Sequence, residues 1–110
     1  MRDFTYIDDC VEALMLAAVS DAADGRIFNL GGYEKSISLQ ELAEMLISVN
    51  GSGHYVCKDF PSDRKRIDIG DYYSSSDLIA KTLGWKPLIS AEEGLKRTLD
   101  YYRQHLQQYI

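Results

Sequence analysis

Two serines, each three residues ahead of a glutamate, constrain this chain most: Ser38 with Glu41, and Ser90 with Glu93. In such a capping box the serine oxygen accepts from a free backbone N–H, and the glutamate reaches back to the serine's own N–H. Each box opens a run with helical spacing. Leu42, Met45, Leu46 and Val49 form the inner stripe of one helix, and Leu95, Thr98, Leu99, Tyr102 and Leu106 the inward face of the other. Asn50 to Gly53 closes the first run. An earlier helix, capped by Asp8 or Asp9, carries Val11, Leu14, Met15, Ala18 and Val19 on one face and ends at Asp21–Gly25. A short helix with Leu78, Ile79 and Leu83 follows the serines at 74 to 76 and stops at Gly84.

The segments between these helices have a different pattern. Arg2 to Ile7 alternates, Arg26 to Gly32 is β-rich and ends in two glycines, and His54 to Phe60 alternates again. All three are expected to be strands, with a short extended stretch at Tyr72–Tyr73. The order predicts a mixed α/β chain folding as one domain over residues 1–110, with no repeat and no linker.

A chain of 110 residues hides roughly 65% of its unfolded surface on folding. With 12 basic and 17 acidic residues its net charge is −5, which argues against a general nucleic-acid or membrane-surface binder. No apolar run approaches the roughly 20 residues needed to span a bilayer. Cys10 and Cys57 stand apart, without metal-ligand spacing. A cytoplasmic chain with packed thiols and no bound metal is the expectation.

Two catalytic patterns are missing. A dinucleotide fold places glycines so that backbone can approach pyrophosphate at a helix start, and no G-x-G-x-x-G or G-x-x-G-x-x-G runs through these eight glycines. A tyrosine activated by a lysine four residues on would have its phenol pKa lowered by the nearby cation, yet none of the eight tyrosines has one there. No catalytic residue is therefore assigned. The chain offers groups suited to gripping an anion. Arg2 stands where a guanidinium can give a phosphate two parallel bonds. Arg64, Lys65 and Arg66 concentrate positive charge in a loop, although most such clusters are solvated surface. Asp68 can accept from sugar or ribose hydroxyls, or pair with an arginine. Asp8 and Asp9 are explained by the helix dipole, at about 0.3–1 kcal/mol each. Trp85 is a packing anchor, His54 and His105 are structural, and one tyrosine of the pair 72–73 faces the ligand pocket.

Four stretches in order, R-D-F-T-Y-I-D-D from Arg2, F-N-L-G from Phe28, D-R-K-R-I-D from Asp63, and L-G-W-K-P with Ser90, Glu93, Gly94 and Leu95, resemble the carboxyl-terminal part of extended short-chain dehydrogenases/reductases. These are the NAD-dependent nucleotide-sugar epimerases and dehydratases. The resemblance covers Arg2 to about Tyr102. It implies a small substrate-binding domain of a Rossmann-type enzyme without the dinucleotide-binding half, and hence an internal junction near Arg2. It further implies that Arg2 and Arg64 bind the diphosphate, that Asp68 accepts from a hydroxyl, and that Asn29 lies beside the nucleotide. The family's R-x-G-D glycine is Ile67 here, which leaves the register between Arg64 and Lys65 open. NAD or NADP would serve the intact enzyme, with none bound by this chain. The expected partners are a nucleotide-diphospho-sugar, the absent Rossmann domain and, through an uncovered apolar surface, a second copy. The rival expectation is a free-standing, non-catalytic binding module that keeps a remnant of the fold.

Overall fold

Capping chemistry explains most of the regular structure in a computed structural model that describes residues 1–34 and 36–110. Its α-helices are α1 (Ile7–Val19), α2 (Leu39–Asn50), α3 (Ser62–Lys65), α4 (Asp77–Leu83) and α5 (Ala91–His105), with 3₁₀ turns at Asp21–Ala23 and Leu106–Gln108. The box at α2 is complete: Glu41 N–H donates to Ser38 Oγ at 3.1 Å, and Ser38 N–H donates to Glu41 Oε2 at 2.7 Å. Those bonds from Ser38 hold the Glu41 carboxyl below its ordinary pKa. At α5 only the serine half forms, with Glu93 N–H on Ser90 Oγ at 3.2 Å. The Glu93 carboxylate instead accepts from Arg97 Nε at 2.9 Å. Gly51 and Gly84 end α2 and α4 in the left-handed conformation, as the stop signals predict.

Other helix expectations change. Tyr6 takes the N-cap position of α1 without a side-chain bond, which puts Asp8 and Asp9 inside the first turn. Ser76 precedes α4 without capping it, because its hydroxyl accepts from Gly31 N–H at 2.7 Å. The α1 stripe of Val11, Leu14, Met15 and Val19 is exposed, Val19 at 82%. The side of α1 that is buried carries Asp9 and Ala13. On α5, Leu95 and Leu99 are half-buried, whereas Thr98 and Tyr102, like Leu106 in the turn that follows, are exposed.

The expected strands do not form. Among the described residues the extended segments yield two isolated bridges, and both fall on Arg2: antiparallel with Ile37 and parallel with Tyr72. The described residues are therefore mostly helical, and the mixed α/β expectation is not confirmed by them. The physical reason is that a β-rich segment becomes a strand only by exchanging backbone bonds with a neighbour over several residues. Residues 26–32 and 54–60 find no such ladder here.

A small core holds the helices together. Ala13 of α1, Ile79 of α4 and Trp85 are buried, with Leu16, Phe28, Leu30 and Leu83 packed around them. Separately, α2 packs on α5. The accessible surface is 8630 Å², against about 6,200 Å² for a compact monomer of this mass. The radius of gyration is 16.8 Å, against about 13 Å expected for this length. Both comparisons describe a chain less compact than is usual for its length.

Candidate functional site

Arg2 carries both of the isolated bridges among the described residues. Its N–H donates to Ile37 O at 2.9 Å, and its carbonyl accepts from Ile37 N–H at 2.8 Å. On the other side, Tyr72 N–H donates to the carbonyl of Met1 at 2.9 Å. The guanidinium thus springs from a backbone fixed on both flanks. Its Nη2 donates to Asp68 Oδ1 at 3.2 Å, in a pair whose side chains are 29% and 40% exposed.

Asp68 is itself held by its loop. Its N–H donates to Arg64 O at 3.0 Å, and its Oδ2 accepts from Gly70 N–H at 3.1 Å. Arg64 lies in the single turn of α3, so the carbonyl of one candidate arginine carries the residue that pairs with the other. Of the four candidates from sequence, Arg2 and Asp68 meet directly, and Arg64 is one turn from Asp68. Arg64 is exposed, and Asn29 is an exposed residue of the extended segment before Gly31.

Next to this pair a second network ties three distant segments together. Asp3 Oδ2 accepts from Ser74 N–H at 2.9 Å and from Ser74 Oγ at 3.2 Å, and the same hydroxyl lies 2.6 Å from Leu30 O. Gly31 and Gly32 pass so close to neighbouring backbone that a Cβ on Gly31 would sit 2.8 Å from Ser74 O, and one on Gly32 would overlap the Phe4 carbonyl oxygen. Their lack of side chains is thus used by the chain's own backbone, not to admit a phosphate. With no glycine-rich turn and no tyrosine–lysine pair, the residues present do not fit a nicotinamide dinucleotide, and no hydride step is derived from them. An open cleft of about 900 Å³ runs beside this network, lined by Gly32, Tyr33, Ser36, Tyr73 and Ser75 among others. That volume lies within the range of about 300–1,000 Å³ usual for ligand clefts.

The sequence reading missed the residue that holds the two halves in register. Asp9, 2% exposed, accepts at one carboxylate oxygen from Leu88 N–H at 3.1 Å and Ile89 N–H at 3.0 Å. Its carbonyl accepts from Trp85 Nε1 at 2.9 Å. Glu34 likewise accepts from Ala91 N–H at the start of α5, at 3.2 Å. Gly94 faces the Tyr6 ring, with Arg97 5.8 Å above its centre. The Asp at the end of R-D-F-T-Y-I-D-D and the L-G-W-K-P stretch are therefore two halves of one junction.

No protein-family model and no solved structure matches the chain. Curated proteins do. The chain is 34% identical to a UDP-D-apiose/UDP-D-xylose synthase of Oryza sativa subsp. japonica over 91% of this chain and 28% of that protein. It is 34% identical to a dTDP-D-glucose 4,6-dehydratase of Mus musculus over 94% of this chain and 30% of that protein. It is 32% identical to a UDP-glucuronate 4-epimerase of Thermodesulfobacterium geofontis over 96% of this chain and 31% of that protein. The chain thus spans under a third of the length of the relatives it matches. Among the described residues no helix is long and apolar enough to cross a membrane. Nearly all of this chain aligns with enzymes of one kind, and it belongs to the nucleotide-sugar epimerase and dehydratase family as a carboxyl-terminal segment of it.

Proposed function

We propose that this chain supplies the substrate grip of a cytoplasmic nucleotide-sugar epimerase or dehydratase and performs no turnover by itself. Arg2 and Arg64 hold the diphosphate, Asn29 lies beside the nucleotide, and the sugar extends toward the cleft at Tyr73. Fixing the diphosphate orients the sugar against a cofactor held by another part of the enzyme, and such orientation is worth several kcal/mol of a reaction barrier. The single observation that carries this reading is Arg2, bridged on both sides and joined to the turn that bears Arg64. UDP and dTDP, titrated into the full chain by calorimetry, are expected to bind weakly and to lose about tenfold or more in affinity with Arg2→Gln, as for loss of a charge-assisted bond worth about 1.5–3 kcal/mol. Equal affinity in both chains would remove the phosphate role from Arg2.

The uncovered face of α1 fits the same reading. Val11, Leu14, Met15 and Val19 form an apolar stripe that a dinucleotide-binding half of the enzyme would cover. The surface excess of about 2,400 Å² over a compact monomer exceeds the ~800 Å² that each partner gives to an ordinary stable interface. The isolated chain is therefore expected to self-associate as concentration rises, and Leu14→Lys with Met15→Lys to restore the monomer. Sedimentation velocity checks both. A wild-type chain monomeric at high concentration would mean that this face needs no partner.

A further inference from the structure

The contact between Arg2 and Asp68 bears on how a diphosphate reaches its site, and the inference rests on the phosphate role proposed above. We infer that Asp68 is an internal stand-in for phosphate: it occupies Arg2 in the unliganded chain and must yield that guanidinium when a nucleotide diphosphate binds.

Three features carry this. The first is that the pair is single-point: one nitrogen, Nη2, meets one oxygen, Oδ1, at 3.2 Å, with both side chains partly exposed. Pairs of that kind are worth about 0–1 kcal/mol, so a pyrophosphate with more charge and two parallel bonds to offer displaces the carboxylate. The second is that Asp68 has somewhere to remain. Its other oxygen is on Gly70 N–H and its own N–H on Arg64 O, so it stays with its loop when Arg2 lets go. The third is that Arg2 has nowhere to go. The bridges to Ile37 and Tyr72 fix its backbone, so exchange is confined to the guanidinium. The carboxylate thus keeps the arginine oriented in the empty site and at the same time competes with the ligand for it. Asp68 is in this sense a positioning residue, and once Arg2 lets go its Oδ1 is left as a free acceptor while Oδ2 stays on Gly70 N–H.

Removing the charge while keeping the shape should therefore tighten anion binding. Inorganic pyrophosphate and UDP are titrated by calorimetry into the unaltered full chain, Asp68→Asn, Asp68→Ser, Arg2→Gln and the double variant Arg2→Gln/Asp68→Asn. Both Asp68 variants are expected to bind each ligand about two- to five-fold more tightly, the fold-change matching an exposed pair of about 0.4–1 kcal/mol. On the Arg2→Gln background the Asp68→Asn gain should vanish, which a purely structural role for Asp68 would not produce. Binding by the unaltered chain with no gain in either Asp68 variant, or a gain that persists without Arg2, overturns the stand-in role and leaves the proposed function standing. Absence of pyrophosphate and UDP binding in every chain overturns both.

Discussion

Gly32→Ala should destabilise this chain by about 3 kcal/mol or more, the upper range for forcing extra volume into a close-packed place. A Cβ on Gly32 would overlap the Phe4 carbonyl oxygen and lie 2.9 Å from the Phe4 carbonyl carbon and amide nitrogen. Each of those atoms belongs to backbone, so no rotamer change relieves the clash. Phe4 itself follows Asp3, whose carboxylate is bonded to Ser74. Pushing residues 31–32 away from Phe4 would also strain the Gly31 N–H bond to Ser76 and the Leu30 carbonyl's contact with the Ser74 hydroxyl. Gly94→Ala is the control. There the Cβ would meet the Tyr6 ring at 3.0 Å, a side chain that can shift, while the helix gains about 1 kcal/mol of propensity. Urea unfolding followed by circular dichroism should show a large fall in midpoint for Gly32→Ala and little change for Gly94→Ala. Equal midpoints for the two would mean that the backbone approach at Gly32 is not maintained in solution.

The contrast between those glycines shows what the sequence disclosed. Helix ends were legible because their signals are local: Ser38 with Glu41, and the glycines at 51 and 84, act within one turn of the residues they cap. Strands were not legible, because Arg26 to Gly32 and His54 to Phe60 carry β-rich patterns whose ladder partners this chain does not provide. The same gap explains α1, whose most apolar stripe faces outward while Ala13 and a carboxylate face the core. An apolar period says that a face is to be covered, not by what. Within the candidate site, Arg2 and Asp68 were named for their chemistry, but their meeting across 66 positions could not be read from spacing. Asp9 was hidden for the opposite reason: two adjacent aspartates at a helix start have a sufficient local explanation in the dipole. Only the fold separates them, with Asp8 left exposed 3.8 Å from Arg97 and Asp9 buried against the turn before α5.

That burial makes the junction of Asp9 with Trp85 the second place where one substitution should have a large effect. Trp85→Ala removes one of the three buried apolar side chains among the described residues, a change that typically costs about 3–5 kcal/mol. It also leaves the Asp9 carbonyl without its indole donor. Asp9→Ala keeps that carbonyl but strands the Leu88 and Ile89 N–H groups, at about 1–3 kcal/mol for each that stays buried. Asp9→Asn retains an acceptor oxygen in the same place and should be much milder, since a neutral amide can still receive one or both bonds. Native domains hold only about 5–15 kcal/mol in all, so either alanine variant should lose a large share of the chain's stability. The two changes act on one junction and should not add: once Trp85 is gone the turn at 88–89 loosens and its N–H groups reach water, so Asp9→Ala costs less in that background, with a coupling of about 0.5–3 kcal/mol. Hydrogen exchange at Leu88 and Ile89 reads this directly. Protection lost in Asp9→Ala and kept in Asp9→Asn supports the buried carboxylate as the clasp between α1 and α5, whereas unchanged protection in Asp9→Ala would assign that clasp to the tryptophan alone.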